Sequence, residues 1–220
     1  MGLFRFLFTL IAVLAVTARE PRAQGFDVSP IPVEVRVGRA TVRVLNPTAA
    51  PSYIEASAMD WGRDAAGAEV LQESTAVVVS PPGFWVAPGG NQLLRLSLPD
   101  APRGREVAYR LVLQQVPDRN SLAAGRVVIA VRQLIPVFAM GENLAPPQLS
   151  AALTSGGLLV QNSGGRRARI SRITQDNRVL ASGLLGYALG GTTTRLPVPG
   201  LRPGRIEIET DLGVRSLDVR

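Results

Sequence analysis

The sequence predicts an all-β protein made of two immunoglobulin-like β-sandwich domains. Its 220 residues include 22 glycines and 17 prolines, and aromatic residues make up only 5%. This composition favours short strands joined by many turns over helices. Apolar residues recur in short runs that alternate with polar residues, the period expected of a half-buried strand. A hydrophobic content of 46% with 19% charged residues is typical of a packed protein and not of general disorder.

The first half of the chain contains enough strand-like runs for one immunoglobulin-like sandwich. Asn46-Pro47, Pro81-Pro82 and Pro88-Gly89-Gly90 separate neighbouring runs, and Pro117 follows another. The predicted strands are 26–29, 33–37, 40–45, 52–61, 76–80, 91–98, 107–116 and 125–138.

A second, smaller β-domain is expected after a break in this pattern. The segment 141–147, Gly-Glu-Asn-Leu-Ala-Pro-Pro, has the composition of an interdomain hinge. We therefore expect a first domain over 24–140 and a second over 148–220. The predicted strands of the second domain are 148–153, 158–161, 168–174, 192–196, 205–209 and 214–219.

Residues 1–23 have the pattern of a secretory signal peptide. Arg5 precedes an apolar run over 6–16 that is too short for a typical membrane span, and small residues follow it. Cleavage after Ala18 fits the small-residue rule, whereas cleavage after Ala23 lies nearer to the first strand. Either site predicts a secreted protein.

Several kinds of chemistry are excluded by composition. The chain has no cysteine and no histidine, and all 24 basic residues are arginine. Disulfides, zinc–thiolate sites, histidine-dependent nucleophiles and lysine-containing phosphate loops are therefore impossible. The net charge is +7, but the arginines are mostly scattered, so no nucleic-acid partner is expected. The short cluster of Arg166, Arg167, Arg169 and Arg172 suggests a solvated face.

The stretch 125–138, Gly-Arg-Val-Val-Ile-Ala-Val-Arg-Gln-Leu-Ile-Pro-Val-Phe, differs from the other strands because both of its faces are largely apolar. Val127, Ile129 and Val131 lie on one face, and Val128 and Ala130 lie on the other. Such a strand is either enclosed in the core or keeps one face for a partner.

A set of short motifs follows in order along both domains, and no single one of them is specific. The motifs are Asn46-Pro47, Trp61 with Gly62 and Gly67, Ser80-Pro81-Pro82 with Phe84, Pro88-Gly89 with Gln92 and Arg95, Glu106 with Tyr109-Arg110-Leu111, Ile135-Pro136-Val137-Phe138, Asn162-Ser163-Gly164, and 187–191. Taken in order, these segments resemble the periplasmic pilus chaperones of the PapD-like family, most closely the branch that serves archaic, spore-coat-U-like pili.

The resemblance implies a boomerang of two immunoglobulin-like domains and a mechanism called donor-strand complementation, in which the chaperone lends a strand to an incomplete pilus subunit. The subunit-binding residues would be Val127, Ile129 and Val131, and the face of Val128 and Ala130 would pack into the chaperone's own core. It also implies delivery of subunits to an outer-membrane usher, and no cofactor, metal or enzymatic activity. An exposed donor strand would also favour self-association.

The best-known branch of the family holds the subunit's C-terminal carboxylate with two cations, and this sequence departs from that pattern. The corresponding positions are Pro136 on the long strand and Pro30 or Pro32 near the first. Arginine is well suited to binding a carboxylate through two hydrogen bonds. The candidate anchors are Arg95, Arg110 and Arg132. For Arg95 and Arg110 the alternative is an internal salt bridge with Glu106, and for Arg132 it is a solvated strand end.

Other functional classes remain as alternatives. A secreted carbohydrate-binding or carboxylate-dependent β-sandwich would rely on acids such as Asp60, Asp176 or Glu207, which would have to converge on one cleft. A pilus subunit is disfavoured because subunits are single incomplete domains. Trp61 and Phe84 are expected to fill a core, and the acids between Asp60 and Glu69 to belong to a hairpin.

Overall fold

A computed structural model describes residues 25–98, 104–117 and 129–220, and this part of the chain consists of strands and turns without a helix. The strands are β1 (Asp27–Ser29), β2 (Val33–Val35), β3 (Arg39–Leu45), β4 (Ser52–Arg63), β5 (Glu69–Glu73), β6 (Val78–Ser80), β7 (Gly83–Val86), β8 (Asn91–Ser97), β9 (Val107–Val116), β10 (Arg132–Ala139), β11 (Leu149–Thr154), β12 (Gly157–Asn162), β13 (Ala168–Gln175), β14 (Arg178–Ala188), β15 (Thr192–Leu196), β16 (Gly204–Thr210) and β17 (Gly213–Val219). None of the described residues forms a helix long and apolar enough to cross a membrane.

Two sheets form the first sandwich. One has the order β1-β3-β8-β6; the other has the order β2-β10-β9-β4-β5, with β7 also paired to β4. Alternate residues of each strand fill the space between the sheets, because strand side chains point to opposite faces in turn. The core between them includes Ile54, Leu94, Leu111, Leu113 and Val137.

The second sandwich is smaller. It packs a sheet of order β11-β12-β15 against one of order β14-β13-β16-β17. Its core includes Leu158, Val160, Ile170, Ile173 and Ile208. The all-β prediction and the two immunoglobulin-like sandwiches are confirmed.

Three strands were not predicted from the sequence. β5 is an edge strand whose side chains are largely exposed, and β7 is short and follows two prolines. β14 contains Gly183 and Gly186, both at positive φ, and its pairing with β13 has register shifts. Each of these strands lacks an uninterrupted alternation of apolar and polar residues, so periodicity alone does not detect them.

Among the described residues, the predicted long strand over 125–138 is a strand only from Arg132 onward. β10 begins at Arg132, although the Gln115 amide still donates to the Val131 carbonyl at 2.9 Å. Residues 125–128, with Val127 and Val128, lie outside the described residues, as do the predicted signal peptide over 1–23 and the connection over 118–124.

The two sandwiches meet in an aromatic cluster. Trp61 and Phe138 of the first sandwich contact Tyr187 of the second, with ring centroids 5.2–5.7 Å apart. The Arg195 amide also donates to the Gly67 carbonyl at 3.0 Å. Gly67 has φ +78°, and a Cβ there would lie 2.9 Å from the Arg195 nitrogen, so this approach requires glycine.

Candidate functional site

The candidate site lies along β10, whose two edges have different partners. One edge pairs antiparallel with β9 along its whole length, from Arg132 opposite Gln114 to Ala139 opposite Val107. The other edge pairs with β2, but only over Val137–Ala139. Within the described chain, no strand pairs with that second edge between Arg132 and Pro136.

The open edge has backbone hydrogen-bonding groups that no described strand pairs with. In an antiparallel pair, alternate residues direct their amide and carbonyl groups to the same neighbour. The Val131 carbonyl accepts a hydrogen bond from the Gln115 amide. By the same alternation, Gln133 and Ile135 also direct their amide and carbonyl groups to β9. Arg132 and Leu134 therefore direct theirs to the open edge, where an added strand could bind. Pro136 has no amide hydrogen and ends this series of donors.

The odd-numbered face of β10 turns toward the core of the first sandwich. Ile135 and Val137 are buried there, and Val131 is partly buried against the same core, close to Gly25. Ile129 follows the same alternation beyond the start of the strand, and 62% of its surface is exposed. The apolar face thus continues past the end of the protein's own core.

The expectation that the face of Val128 and Ala130 packs into the core is wrong for Ala130. Ala130 is exposed, as are Arg132 and Leu134, which follow the same alternation. The inward register is set instead by Ile135 and Val137, since these residues oppose the core residues Leu111 and Tyr109 of β9.

The three candidate anchors lie in different surroundings. Arg95 is exposed on β8, which belongs to the sheet that does not contain β10. Arg132 is exposed at the start of β10. Arg110 lies on β9 directly opposite Pro136, which corresponds to one of the two cation positions of the best-known branch.

The Arg110 guanidinium lies in a group of charged and aromatic side chains. It stacks on Trp61 with its central carbon 3.6 Å from the ring centroid, and it donates to Glu69 Oε2 at 3.0 Å. A second guanidinium, Arg63, lies 3.9 Å from the same carboxylate oxygen and donates to the Tyr187 carbonyl at 3.4 Å. Sequence reasoning missed Arg63 and Glu69, because both seemed to be ordinary residues of a hairpin.

The alternative of an ion pair between Glu106 and Arg95 or Arg110 is wrong, because neither arginine pairs with Glu106. The Glu106 carboxylate instead accepts hydrogen bonds from the side chain and the backbone amide of Arg167, which belongs to the second sandwich. Arg167 also donates to Glu34 Oε1 at 3.0 Å and lies 3.8 Å from the Phe138 ring centroid. The prediction that the cluster of Arg166, Arg167, Arg169 and Arg172 forms a solvated face is therefore wrong for Arg167, which is buried. Arg169 and Arg172 are exposed, as predicted.

Burial and ion pairing act in opposite directions on the two acids that contact Arg167. Burial raises the pKa of Glu106 above its usual value, and Arg167 offsets part of this rise. At Glu34, the hydrogen bond from Arg36 lowers the pKa, burial opposes this effect, and Arg167 lowers the pKa further. The cluster therefore fixes the contact between the sandwiches, with the two terminal nitrogens of Arg167 bound to carboxylates and its buried Nε without an acceptor among the described residues.

The acids considered for an enzymatic or carbohydrate-binding role do not converge. Asp60 lies on β4 of the first sandwich, Asp176 in the turn between β13 and β14, and Glu207 on β16. Asp64 accepts hydrogen bonds from the amides of Ala66 and Ala68 in the β4–β5 hairpin, as expected for a turn. Among the described residues, no group of three or more acidic side chains is placed to hold a metal ion.

Comparison with known proteins assigns the chain to a family. Residues 31–145, just over half of the chain, match the family described as "Pili and flagellar-assembly chaperone, PapD N-terminal domain". The protein therefore belongs to this family of pilus-assembly chaperones. No curated protein matches the sequence significantly.

Solved structures show the same fold. The chaperone–tip subunit complex CsuC–CsuE from the archaic chaperone–usher Csu pili of Acinetobacter baumannii matches with a TM-score of 0.72 and 22% identity over 89% of this chain and 99% of that one. The Salmonella enterica SafA pilin in complex with the SafB chaperone matches with 0.66 and 19% identity over 88% and 96%. The periplasmic chaperone SfaE matches with 0.63 and 16% identity over 89% and 99%.

Proposed function

We propose that this protein is a periplasmic chaperone of the archaic pilus branch that captures pilus subunits by donor-strand complementation and delivers them to an outer-membrane usher. The observation that carries the proposal is the open edge of β10 beside an apolar face that continues past the protein's own core. The chain would enter the periplasm through a signal peptide over 1–23 that is then cleaved. Residues 24–140 would form the donor domain, and 148–220 the second domain, with the hinge over 141–147.

Strand addition requires backbone groups that a partner can reach, and the open edge supplies them. Arg132 and Leu134 direct amide and carbonyl groups away from β9. A subunit strand could hydrogen-bond to these groups and extend the sheet. Pro136 and the pairing of β2 with Val137–Ala139 limit the added strand at the end nearest the second sandwich.

Affinity and specificity would come from the apolar side chains that precede this edge. Ile129 is available to fill a pocket of the subunit, and Val127 follows the same alternation. Moving one such side chain from water to an apolar pocket contributes roughly 1.5–3 kcal/mol. Val131 is already partly buried in its own core, so its contribution to binding is smaller.

The position of Arg110 favours it as the anchor for the subunit's C-terminal carboxylate. It lies opposite Pro136, where the open edge ends and the second sandwich begins. A strand added along the edge would end level with Arg110 and would be separated from it by β10. Arg132 remains at the far end of β10, and Arg95 lies on the opposite sheet.

Co-purification with a co-expressed pilin-like protein tests this function. Wild type is expected to retain the pilin through purification, whereas Ile129→Asp should lose it because a carboxylate cannot enter an apolar pocket without a large desolvation cost. Leu93→Asp is the matched control, since Leu93 is an exposed apolar residue of β8 in the other sheet. Equal retention by all three proteins would exclude Ile129 as a donor residue. No retention by wild type would contradict the proposal as a whole.

A further inference from the structure

The two sheets of the first sandwich differ in charge. The strands β1, β3, β8 and β6 contain three arginines, Arg39, Arg43 and Arg95, and only one acidic residue, Asp27. The strands of the other sheet also contain three arginines, but they contain five acidic residues. Positive charge is therefore concentrated on the sheet that does not contain the open edge of β10.

The three arginines lie on the solvent face of their sheet. Val42 and Leu94, each next in sequence to one of them, are buried in the core, so Arg39, Arg43 and Arg95 point outward and are exposed. None of the three forms an ion pair with a described residue. Their charges are therefore available to an anionic partner.

Strand register sets the spacing of these charges. Arg95 pairs with Thr41, midway between Arg39 and Arg43 on β3. Diagonal neighbours on antiparallel strands are about 7–8 Å apart, so Arg95 lies at roughly this distance from both of the other arginines. Asp27 lies on the outer strand β1 and forms no ion pair with a described residue. The three guanidinium groups can therefore contact separate anionic groups of one surface at the same time.

A tight turn at one end of this face presents an apolar side chain. Arg36 and Arg39 exchange backbone hydrogen bonds at 3.2 and 3.1 Å around the two-residue turn Val37-Gly38. Both turn residues have positive φ, 51° and 70°, as in a type I′ hairpin. Asparagine suits the first position of such a turn, whereas a β-branched residue is strained there. Val37 is also 97% exposed, so it adds nothing to the core. A strained, exposed valine between two arginines therefore indicates a contact outside the protein.

Further apolar side chains are dispersed among the arginines. Leu93 lies opposite Arg43 and is 53% exposed, and Val78 lies opposite Ser97 and is 55% exposed. A protein interface usually has a contiguous apolar centre, which these separate residues do not form. Arginines with dispersed apolar residues fit the headgroup region of an anionic membrane, where charge and shallow insertion act together.

We propose that the outer face of the β1-β3-β8-β6 sheet, with the turn at Val37, binds the surface of a membrane that contains anionic phospholipid. Arg39, Arg43 and Arg95 contact lipid phosphate groups, and Val37 enters the headgroup region. The open edge of β10 belongs to the other sheet, so it stays accessible while this face is bound. The inference goes beyond the proposed function, because it assigns a second surface with a different partner.

Cosedimentation with lipid vesicles tests this inference. The processed protein is purified from the periplasm, because the apolar run over 6–16 would itself bind lipid. Vesicles of phosphatidylcholine and phosphatidylglycerol in equal parts should bind the protein, whereas vesicles of phosphatidylcholine alone should not. Binding should weaken as the salt concentration rises, because exposed charges are screened.

Arginine variants measure the electrostatic part of binding. One arginine near an anionic membrane contributes about 1 kcal/mol, so Arg43→Gln and Arg95→Gln should each lower the partition coefficient about fivefold. Arg178→Gln is the matched control, because Arg178 is exposed on β14 of the second sandwich and forms no ion pair with a described residue. It should bind vesicles as wild type does.

Val37→Asn separates binding from folding. Asparagine relieves the strain of the type I′ turn, so the midpoint of thermal unfolding should rise. Loss of the apolar side chain should lower the partition coefficient about three- to tenfold. Val179→Asn is the control, since Val179 is an exposed valine of β14 in the second sandwich, and its vesicle binding should equal that of wild type.

Absence of binding to the anionic vesicles would overturn the proposal and would leave an acidic protein as the partner to seek. Equal binding to both kinds of vesicle would overturn the role of the arginines. A loss in Arg178→Gln as large as that in Arg43→Gln would show that net charge acts without this face, which would also overturn it. A Val37→Asn protein that binds as tightly as wild type would overturn the role of the turn.

Discussion

The two ends of β10 share one alternation of side chains but have different neighbours. At Val137–Ala139 the strand is paired on both edges and buried on both faces, by its own core and by the second sandwich. Among the described residues, Arg132–Leu134 is paired on one edge only, and Ile129 and Ala130 before it are exposed. A strand with two apolar faces can therefore be a core element at one end and a candidate binding element at the other.

The largest expected effect is at the buried end. Phe138→Ala should lower the free energy of unfolding by about 3–5 kcal/mol, because it leaves a cavity between Trp61 and Tyr187. Leu134→Ala, on the same face of the same strand but 37% exposed, should cost less than about 1 kcal/mol. Urea titrations monitored by circular dichroism measure both changes. Similar losses would show that the two ends do not differ in stability.

Breaking the ion pair between the sandwiches should have the next largest effect. Arg167→Met should cost roughly 3 kcal/mol, because it leaves the buried Glu106 carboxylate without its main partner. Adding Glu106→Gln should restore much of the loss, because the remaining group is neutral. A double-mutant cycle in urea gives the coupling energy. A double variant as unstable as the sum of the two single variants would mean that the residues do not interact.

Ile129→Ala should separate binding from stability. Because Ile129 is largely exposed, the free energy of unfolding should change by no more than about 0.5 kcal/mol. Pilin retention during co-purification should nevertheless decrease. Val137→Ala, on the same face at the buried end, should instead cause a large loss of stability. A large stability loss at Ile129 would place that residue in the protein's own core.

The smallest expected effect is the pH dependence due to Glu34. The pKa of the Glu34 carboxyl is lowered in the folded protein, mainly by the hydrogen bond from Arg36. Its contribution to the free energy of unfolding is therefore fully present above the ordinary pKa of 4.5, and it is lost as the pH falls through the lowered pKa. The stability difference between wild type and Glu34→Gln should be at most about 1 kcal/mol at pH 7 and should shrink below pH 4.5. A difference that grows on acidification would contradict this sign.

Much of the first sandwich could be predicted from the sequence, since its strands alternate clearly and end at proline or glycine. The same reasoning named Arg110 as a candidate anchor from its position within an apolar strand, and that role stays a prediction. It could not find Arg63, because a charged residue beside a turn is ordinary in sequence. Nor could it assign the partner of Glu106, since Arg167 lies 61 residues away in the chain.

Composition and a period of two residues were enough to predict most of the strands, the expected division into two domains, the exclusion of cysteine and histidine chemistry, and the stretch with two apolar faces. These properties are local in the chain. The folded structure was needed to show which edge of β10 stays open among the described strands, where its apolar face leaves the core, and which arginine pairs with which carboxylate. Edge pairing and ion pairing depend on groups far apart in the chain, and local periodicity does not specify their positions.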